Sequence, residues 1–343
     1  MTRQIMVGQV PVGGGAPVSI QSMCTTDTRD VVSTLAQINA LSQAGCEIVR
    51  LAIPDHNAAM AFGAIAEQSP LPLVADIHFD YRLAVTAAGI GAAKIRINPG
   101  NIGSRENVKE VVAACREYNI PIRIGVNGGS CDRVLIEHHG LPQAMVQSAL
   151  EQLWTLQLLN FDDVCLSLKA SNVKDTIAAN RIAAEKTACP IHLGVTEAGS
   201  SYDGIIKSAM GIGTLLCDGI GDTIRVSLTA DPVKEIRAAK SILRAAGIRA
   251  FGVEIISCPA CGRCRIDLEK LVAEAEAKLS HIKKPLKVAV MGCSVNGPGE
   301  AREADCGIAG GDGYGLLFQK GKPAGKVRQE EIIDELAKLA AEI

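Results

Sequence analysis

The sequence predicts an α/β protein: a closed (β/α)8 barrel of the TIM type, followed by a smaller α+β domain. Three observations carry this. Short β-branched runs alternate with Ala- and Leu-rich helical stretches from residue 18 to about residue 246, and strand–helix alternation implies parallel strands with right-handed crossovers. Eight such units follow one another with no obvious switch point, which suits a closed barrel better than an open doubly wound sheet. After Gly247 the rhythm changes, and glycine-flanked cysteines take over. The expected boundaries are residues 1–248 for the barrel and 249–343 for the second domain.

The barrel strands read as Val18–Met23, Ile48–Ile53, Leu73–His78, Lys94–Asn98, Ile122–Val126, Val164–Ala170, Ile191–Thr196 and Thr223–Leu228. Helices between them include Val31–Ala44, Asn107–Tyr118, Leu141–Leu159, Val173–Lys186 and Pro232–Ala246. Asp30, Ser104 and Asp231 are expected N-caps, and Gly45, Gly89 and Gly247 expected stops. Ahead of the first strand, Val7–Val12, Gly13 to Gly15 and Ala16–Ile20 read as a hairpin that closes the bottom of the barrel. Beyond Gly247, a strand (Phe251–Ile256) meets a cysteine loop and a helix runs from Asp267 to Ser280. A second strand (Lys287–Met291) delivers Cys293. A Gly-rich stretch, a strand (Tyr314–Gln319) and a closing helix (Gln329–Ile343) complete the domain.

The bulk numbers exclude several classes. A net charge of -2 argues against a nucleic-acid or anionic-membrane binder, and 3% aromatic content leaves little for base stacking. Residues 4–26 carry no charge but are interrupted by glutamines, glycines and prolines, so they do not read as a membrane span. With no basic start and apolar run of a signal peptide, the chain reads as cytoplasmic. Of twelve cysteines, Cys46, Cys115, Cys165, Cys189 and Cys217 sit singly in apolar segments and are expected in the core. Cys24 and Cys131 lie near strand ends, where they can line a site.

Alternate residues of a strand share a face. One face collects Lys94, Arg96 and Asn98; Arg123, Gly125 and Asn127; Ser167 and Lys169; His192, Gly194 and Thr196; and Arg225 and Ser227, with Arg50, Asp76 and His78. The apolar face must meet the helices, so the polar face points into the barrel, where unpartnered polar groups are costly. Arg50, Arg96, Arg123, Lys169 and Arg225 then converge at the C-terminal strand ends, where such barrels place their sites. Asp76 and Glu197 can neutralise two of the five. The surplus calls for a polyanionic ligand, and forked guanidinium donors suit linked phosphates. Glu197 is the expected proton donor or acceptor at this mouth.

The second domain offers Cys258-Pro-Ala-Cys261-Gly-Arg-Cys264 and, about thirty residues on, Cys293 and Glu300. Four cysteines suit a zinc ribbon. Neither the bacterial-ferredoxin spacing nor a Cys-x3-Cys-x2-Cys run is present. A [4Fe–4S] cluster held by three cysteines and a weaker ligand is the further option, with Glu300 placed as that ligand and Cys264 as its competitor.

Six segments together resemble the 4-hydroxy-3-methylbut-2-en-1-yl diphosphate synthase family. They are Ile20-Gln-Ser-Met-Cys-Thr-Thr-Asp-Thr, Lys94-Ile-Arg-Ile-Asn-Pro-Gly-Asn, Arg123-Ile-Gly-Val-Asn, His192-Leu-Gly-Val-Thr-Glu, Ser257-Cys-Pro-Ala-Cys-Gly-Arg-Cys and Gly292-Cys-Ser-Val-Asn-Gly-Pro-Gly-Glu. The resemblance spans almost the whole chain and matches the compact two-domain form. It implies reductive ring opening of 2-C-methyl-D-erythritol 2,4-cyclodiphosphate, in the non-mevalonate isoprenoid pathway, to the linear allylic diphosphate with loss of water. It further implies a [4Fe–4S] cluster on Cys258, Cys261, Cys293 and Glu300, and a diphosphate set of Arg50, Arg96, Arg123, Asn127, Lys169, Arg225 and Ser227. By the same resemblance Glu197 is the acid, reduced flavodoxin or ferredoxin supplies electrons, and the chain forms a head-to-tail homodimer. The departures are Cys264, commonly not cysteine in the family, and Cys24, commonly threonine. A non-enzymatic iron–sulfur carrier is the alternative, and it leaves the cationic barrel without a purpose.

Overall fold

The computed structural model describes residues 1–97, 102–293 and 301–343. Asn98, expected in the fourth barrel strand, and Glu300 lie outside the described residues. The described chain forms two compact units, residues 1–249 and 250–343.

In the first unit the strands are β3 (Ser19–Met23), β4 (Ile48–Ala52), β5 (Leu73–Ile77), β6 (Lys94–Ile97), β7 (Ile122–Asn127), β8 (Val164–Lys169), β9 (His192–Leu193) and β10 (Thr223–Ile224), after a short hairpin of β1 (Ile5–Val7) and β2 (Val10–Val12). The eight are parallel in the order β8-β7-β6-β5-β4-β3-β10-β9. A parallel bridge between Leu166 and Ile191 joins the two ends, so the sheet closes as a barrel. Helices α1 (Val31–Ala44), α2 (His56–Ala66), α3 (Tyr81–Gly89), α4 (Arg105–Glu117), α6 (Leu141–Gln157), α7 (Val173–Lys186), α8 (Ser201–Cys217) and α9 (Pro232–Ala245) alternate with them. A short helix α5 (Arg133–His139) and a 3-10 turn at Gly128–Ser130, neither expected, elaborate the loop after β7.

Local chemistry explains these bounds. Asp30, Ser104 and Asp231 each accept a backbone N–H from the first turn of their helix, as expected of N-caps. Gly45 ends α1 in the left-handed conformation at φ 91°. Gly89 instead stays inside α3, which Ile90 caps, and Gly247 follows the cap Ala246. In β7, Ile122, Ile124 and Val126 are at most 2% exposed and meet the helix layer, each contributing about 1.5–3 kcal/mol by burial. Their neighbours Arg123, Gly125 and Asn127 face inward to the cavity described below.

The strands expected at Ile191–Thr196 and Thr223–Leu228 pair over only two residues each. The Arg225 N–H still donates to the Leu193 carbonyl at 2.9 Å just past the assigned strands, and there a Cβ on Gly194 would stand 2.8 Å from the Arg225 carbonyl oxygen. Further on, the Leu228 N–H is satisfied by the Glu235 carboxylate rather than by a strand. The N-terminal hairpin turns at Gly8-Gln9, not at Gly13 to Gly15 as expected. Ile5, Val7 and Val12 do pack on Ile48, Val74 and Cys165 at the N-terminal ends of the barrel strands. Among the expected core cysteines, Cys46, Cys115, Cys165 and Cys189 are buried, whereas Cys217 ends α8 on an exposed face.

The second unit is a five-stranded sheet in the order β11-β12-β13-β14-β15. These are Val253–Ser257, Leu286–Met291, Cys306–Gly311, Tyr314–Gln319 and Lys322–Arg328, and helices α10 (Leu268–Leu279) and α11 (Ile332–Ala341) complete the unit. The first three strands are parallel and the last two antiparallel. Leu271, Ala275, Val288, Ile308, Ile332 and Leu336 join sheet and helices in one core. The Gly-rich stretch thus contains a buried strand, β13, whose composition hides it. A Cβ on Gly307 would meet the Phe318 ring at 2.4 Å, and one on Gly311 the Tyr314 ring at 2.3 Å, so close packing demands glycine where β propensity disfavours it. The last strand, also unexpected, is an exposed edge carrying lysines and a proline, which discourage edge pairing. The closing helix is preceded by a 3-10 turn at Gln329–Glu331. Among the described residues, no helix is long and apolar enough to cross a membrane.

Candidate functional site

A cavity of about 270 Å³ opens at the C-terminal ends of the barrel strands. Arg50, Arg96, Arg123, Asn127, Lys169, Arg225 and Ser227 all line it, with Met23, Asp76, His78, Gly125, Ser167 and Thr196. Register explains the convergence: Asp76 pairs with Arg96, Arg96 with Arg123, and Asn127 with Lys169 across neighbouring parallel strands. All five expected cations therefore meet in one pocket.

Two carboxylates answer them. Asp76 accepts from Arg96 Nη1 at 2.9 Å and lies 3.5 Å from Arg50 Nε and 3.6 Å from His78 Nε2. Burial alone would raise its carboxyl, but Arg50 above all, with His78, Arg96 and Arg123, holds it well below the usual carboxylate range. The second carboxylate is not Glu197. It is Glu235 on α9, 3% exposed, which accepts from Ser22 Oγ at 2.9 Å and from the Leu228 N–H at 3.0 Å. Its Oε2 stands 3.6 Å from Arg225 Nε. Glu235 is not expected from strand periodicity because it sits in the first turn of a helix, where an acid usually serves the helix dipole. The only hint was an acid among the inward-facing positions of an amphipathic helix.

Five cations against two carboxylates leave a formal surplus of three. Like charges about 5 Å apart repel by roughly 3 kcal/mol at an effective dielectric near 20. Several donors also stand idle: among the described residues, Arg123 Nε and Arg225 Nε are buried without a hydrogen-bond partner. Arg123 Nη1 donates to Gln21 Oε1 at 3.0 Å, and Arg50 reaches the Met23 thioether at 2.8 Å, a weak acceptor for a guanidinium. Such a pocket is poised for an anion rich in oxygen acceptors.

Beneath it lie Lys94 and His192, both 0% exposed. Neither Lys94 Nζ nor either ring nitrogen of His192 has a partner among the described residues. Burial, with repulsion from Arg123 and Arg50, lowers Lys94 to about 7. Burial and then Lys169 and Arg123 push His192 well below its usual range, so its ring is neutral. Glycine makes room for the cations above: a Cβ on Gly125 would stand 2.6 Å from Arg96 Nε, and one on Gly194 2.7 Å from Lys169 Nζ.

Glu197 follows Thr196 at the rim. It is exposed, holds a left-handed φ of 52° and has no ion pair among the described residues. That conformation is costly for a non-glycine residue, of order 1 kcal/mol. Cys24 and Cys131 do not line the cavity; burial pushes the Cys24 thiol up to about 12.

In the second unit, Cys258 follows β11 and Cys293 follows β12, two adjacent parallel strands. The Gly292 N–H donates to Cys258 Sγ at 3.3 Å. Cys261 is exposed on the loop and Cys293 is buried. Cys264 Sγ donates to the Ile266 carbonyl at 3.2 Å; like Cys258 it packs against the core of this unit, and a Cβ on Gly292 would stand 2.7 Å from its sulfur. Among the described residues no three His, Cys, Asp or Glu side chains are grouped closely enough to hold a metal ion. The donor chemistry still fits an iron–sulfur group: thiolates at the ends of neighbouring strands, one already receiving a backbone N–H, and a third exposed on the loop between them.

The fold and site define a (β/α)8 barrel with an under-neutralised cationic mouth, carrying a cysteine-bearing α+β unit on the same chain. The family model of the GcpE TIM-barrel domain matches residues 2–240, and that of the GcpE protein C-terminal domain matches residues 254–342. The chain belongs to the GcpE family. It is 58% identical to a 4-hydroxy-3-methylbut-2-en-1-yl diphosphate synthase (flavodoxin) of Clostridium perfringens, over 98% of this chain and 97% of the relative. A protein of the same name from Geobacter sulfurreducens is 57% identical, over 98% and 96%. Among solved structures, the dihydropteroate synthase of Vibrio fischeri matches with a TM-score of 0.51 at 11% identity, covering 71% of this chain and 98% of that one. That of Yersinia pestis matches at 0.51 and 13%, covering 72% and 99%. At such identity these two share the barrel fold and nothing more.

Proposed function

We infer that this chain is an oxidoreductase that opens the ring of 2-C-methyl-D-erythritol 2,4-cyclodiphosphate reductively, giving 4-hydroxy-3-methylbut-2-enyl diphosphate and water for isoprenoid biosynthesis. The observation that carries this is the cavity with five cations at the strand ends of a barrel, answered by Asp76 in its lining and by Glu235 from α9, in a chain 58% identical to a synthase of that name. Arg50, Arg96, Arg123, Lys169 and Arg225 bind the two phosphoryl groups. Asn127 and Ser227 supply neutral donors beside them. Asp76 keeps Arg50 and Arg96 aimed at the cavity, and Glu235 does the same for Arg225. Remote binding to the diphosphate orients the carbon skeleton, so binding energy is available to the bond-breaking step. Glu197 Oε, at the rim beside Thr196, delivers the proton that lets the departing oxygen leave as water. Its exposure supports proton exchange with solvent.

Cys258, Cys261 and Cys293 would hold a [4Fe–4S] cluster, with Glu300 as its fourth ligand. When bound, the cluster supplies low-potential electrons one at a time. Flavodoxin, which the relatives' names include, is favoured over ferredoxin as the donor. A cytoplasmic location suits thiolate chemistry that needs a reducing compartment. A head-to-tail homodimer belongs to the same proposal.

The test is anaerobic purification followed by incubation with the cyclodiphosphate and a chemical reductant, with the product followed by mass. A brown protein that forms the linear diphosphate is expected. A colourless protein with bound zinc, or a brown one that leaves the cyclodiphosphate unchanged, overturns the assignment.

A further inference from the structure

Only one of the five cations at the barrel mouth can give up its proton. Arg50, Arg96, Arg123 and Arg225 carry guanidinium groups, which stay protonated in proteins. Lys169 is 7% exposed, lines the cavity and has no ion pair among the described residues. The two carboxylates are engaged elsewhere, Asp76 with Arg50 and Arg96, and Glu235 with Arg225.

The charged and titratable groups around Lys169 come from every strand that faces it. They are Arg123 on β7, Arg96 and the deeper Lys94 on β6, Asp76 with His78 at the end of β5, Arg50 on β4, His192 on β9 and Arg225 after β10. Cys165 lies lower on β8 itself, Glu197 is exposed at the rim, and Glu235 reaches in from α9. Burial first, then repulsion from Arg225, Arg50, Arg123 and Arg96, lowers Lys169 well below the usual lysine range. The lack of a side chain on Gly194 gives the ammonium its room, since a Cβ there would stand 2.7 Å from Nζ.

We propose that Lys169 is the titrating member of the set: uncharged while the pocket is empty, and protonated by one solvent proton when the diphosphate enters. This rests on the diphosphate assignment above and deepens it. In the cyclic diphosphate each phosphorus bears a single, strongly acidic oxygen, so the ligand has no proton of its own to exchange near neutral pH. Any proton taken up on binding therefore belongs to the protein. The sign follows from linkage: binding raises the Lys169 pKa, so affinity falls as pH rises between its free and bound values, by about tenfold per pH unit.

The test is calorimetric titration of the anaerobic, cluster-loaded protein with the cyclodiphosphate, without reductant, in two buffers of different ionisation enthalpy at the same pH. Uptake of about one proton is expected. Lys169→Arg, permanently charged, is expected to bind with uptake near zero and a flattened pH profile. Lys169→Met is expected to bind more weakly, also without uptake, and Lys94→Met to retain it. Binding without proton uptake overturns the proposal and leaves the diphosphate assignment standing. So does uptake that persists in Lys169→Arg or disappears in Lys94→Met. Absence of any binding overturns the diphosphate assignment, and this proposal with it.

Discussion

Replacing Gly194 with alanine sets two effects of opposite sign against each other. The φ of Gly194 lies outside the left-handed region, so alanine fits the backbone and should stabilise by about 0.4–1 kcal/mol through the unfolded chain. Against this, the new methyl would stand 2.7 Å from Lys169 Nζ, 2.9 Å from Lys169 Cε and 2.8 Å from the Arg225 carbonyl oxygen. The lysine end can swing away; the Arg225 backbone, held by the bond from its N–H to the Leu193 carbonyl at 2.9 Å, cannot do so cheaply. Overpacking of this kind costs about 1–3 kcal/mol, so the clash wins and Gly194→Ala should be net destabilising by about 1 kcal/mol. The displaced ammonium should also lose its charge-assisted contact with the ligand, worth about 1.5–3 kcal/mol, or a roughly ten- to hundredfold weaker Kd. Urea unfolding of the apo protein reads the first effect and calorimetric titration with the cyclodiphosphate the second. In a Lys169→Met background the affinity loss should vanish while the stability loss remains, because the backbone contact persists. A Gly194→Ala protein of unchanged stability and unchanged Kd refutes the claim that glycine is there to let Lys169 pass.

Arg123→Ala should weaken cyclodiphosphate binding by about 2–5 kcal/mol, the range for breaking a buried charged contact, and an unchanged Kd removes Arg123 from the binding set. Cys264→Ala should keep full iron and sulfide content with an unaltered visible spectrum, since its thiol is engaged with the Ile266 carbonyl; loss of the chromophore makes Cys264 a ligand. Lys94→Met should change the pH dependence of stability. The folded pKa of about 7 lies below the unfolded lysine value, so the unfolded chain binds more protons above pH 7 and this term makes stability rise with pH. Relative to Lys94→Met, the parent should gain about 1.4 kcal/mol per pH unit from there toward pH 8.5, read by denaturant midpoints; parallel profiles would show that Lys94 keeps its charge.

Much of this was legible because a barrel strand writes its two faces into alternate residues. Ile122, Ile124 and Val126 had to meet helices, which left Arg123, Gly125 and Asn127 for the interior, and the same arithmetic brought Arg50, Arg96, Lys169 and Arg225 to one mouth. The failures have equally physical causes. Glu235 reaches the site from a helix, so no strand periodicity announces it. The strand Cys306–Gly311 is built of residues with poor strand propensity because Phe318, Ile266 and Tyr314 fill the space their side chains would need. Cys217 shares the composition of the core cysteines but falls on the outer face of its helix.

By itself, then, the sequence determined the barrel, its polar interior and the set of cations, since these depend on periodicity and residue chemistry along single strands. Asp76 was legible as one answering carboxylate, on an inward strand face, but tertiary structure alone decided which carboxylate joins it in answering them. Glu235 does so, while Glu197 is left exposed at the rim with a left-handed backbone. Pairing over a few ångströms depends on where different elements meet across the closed barrel, and no local pattern encodes that distance.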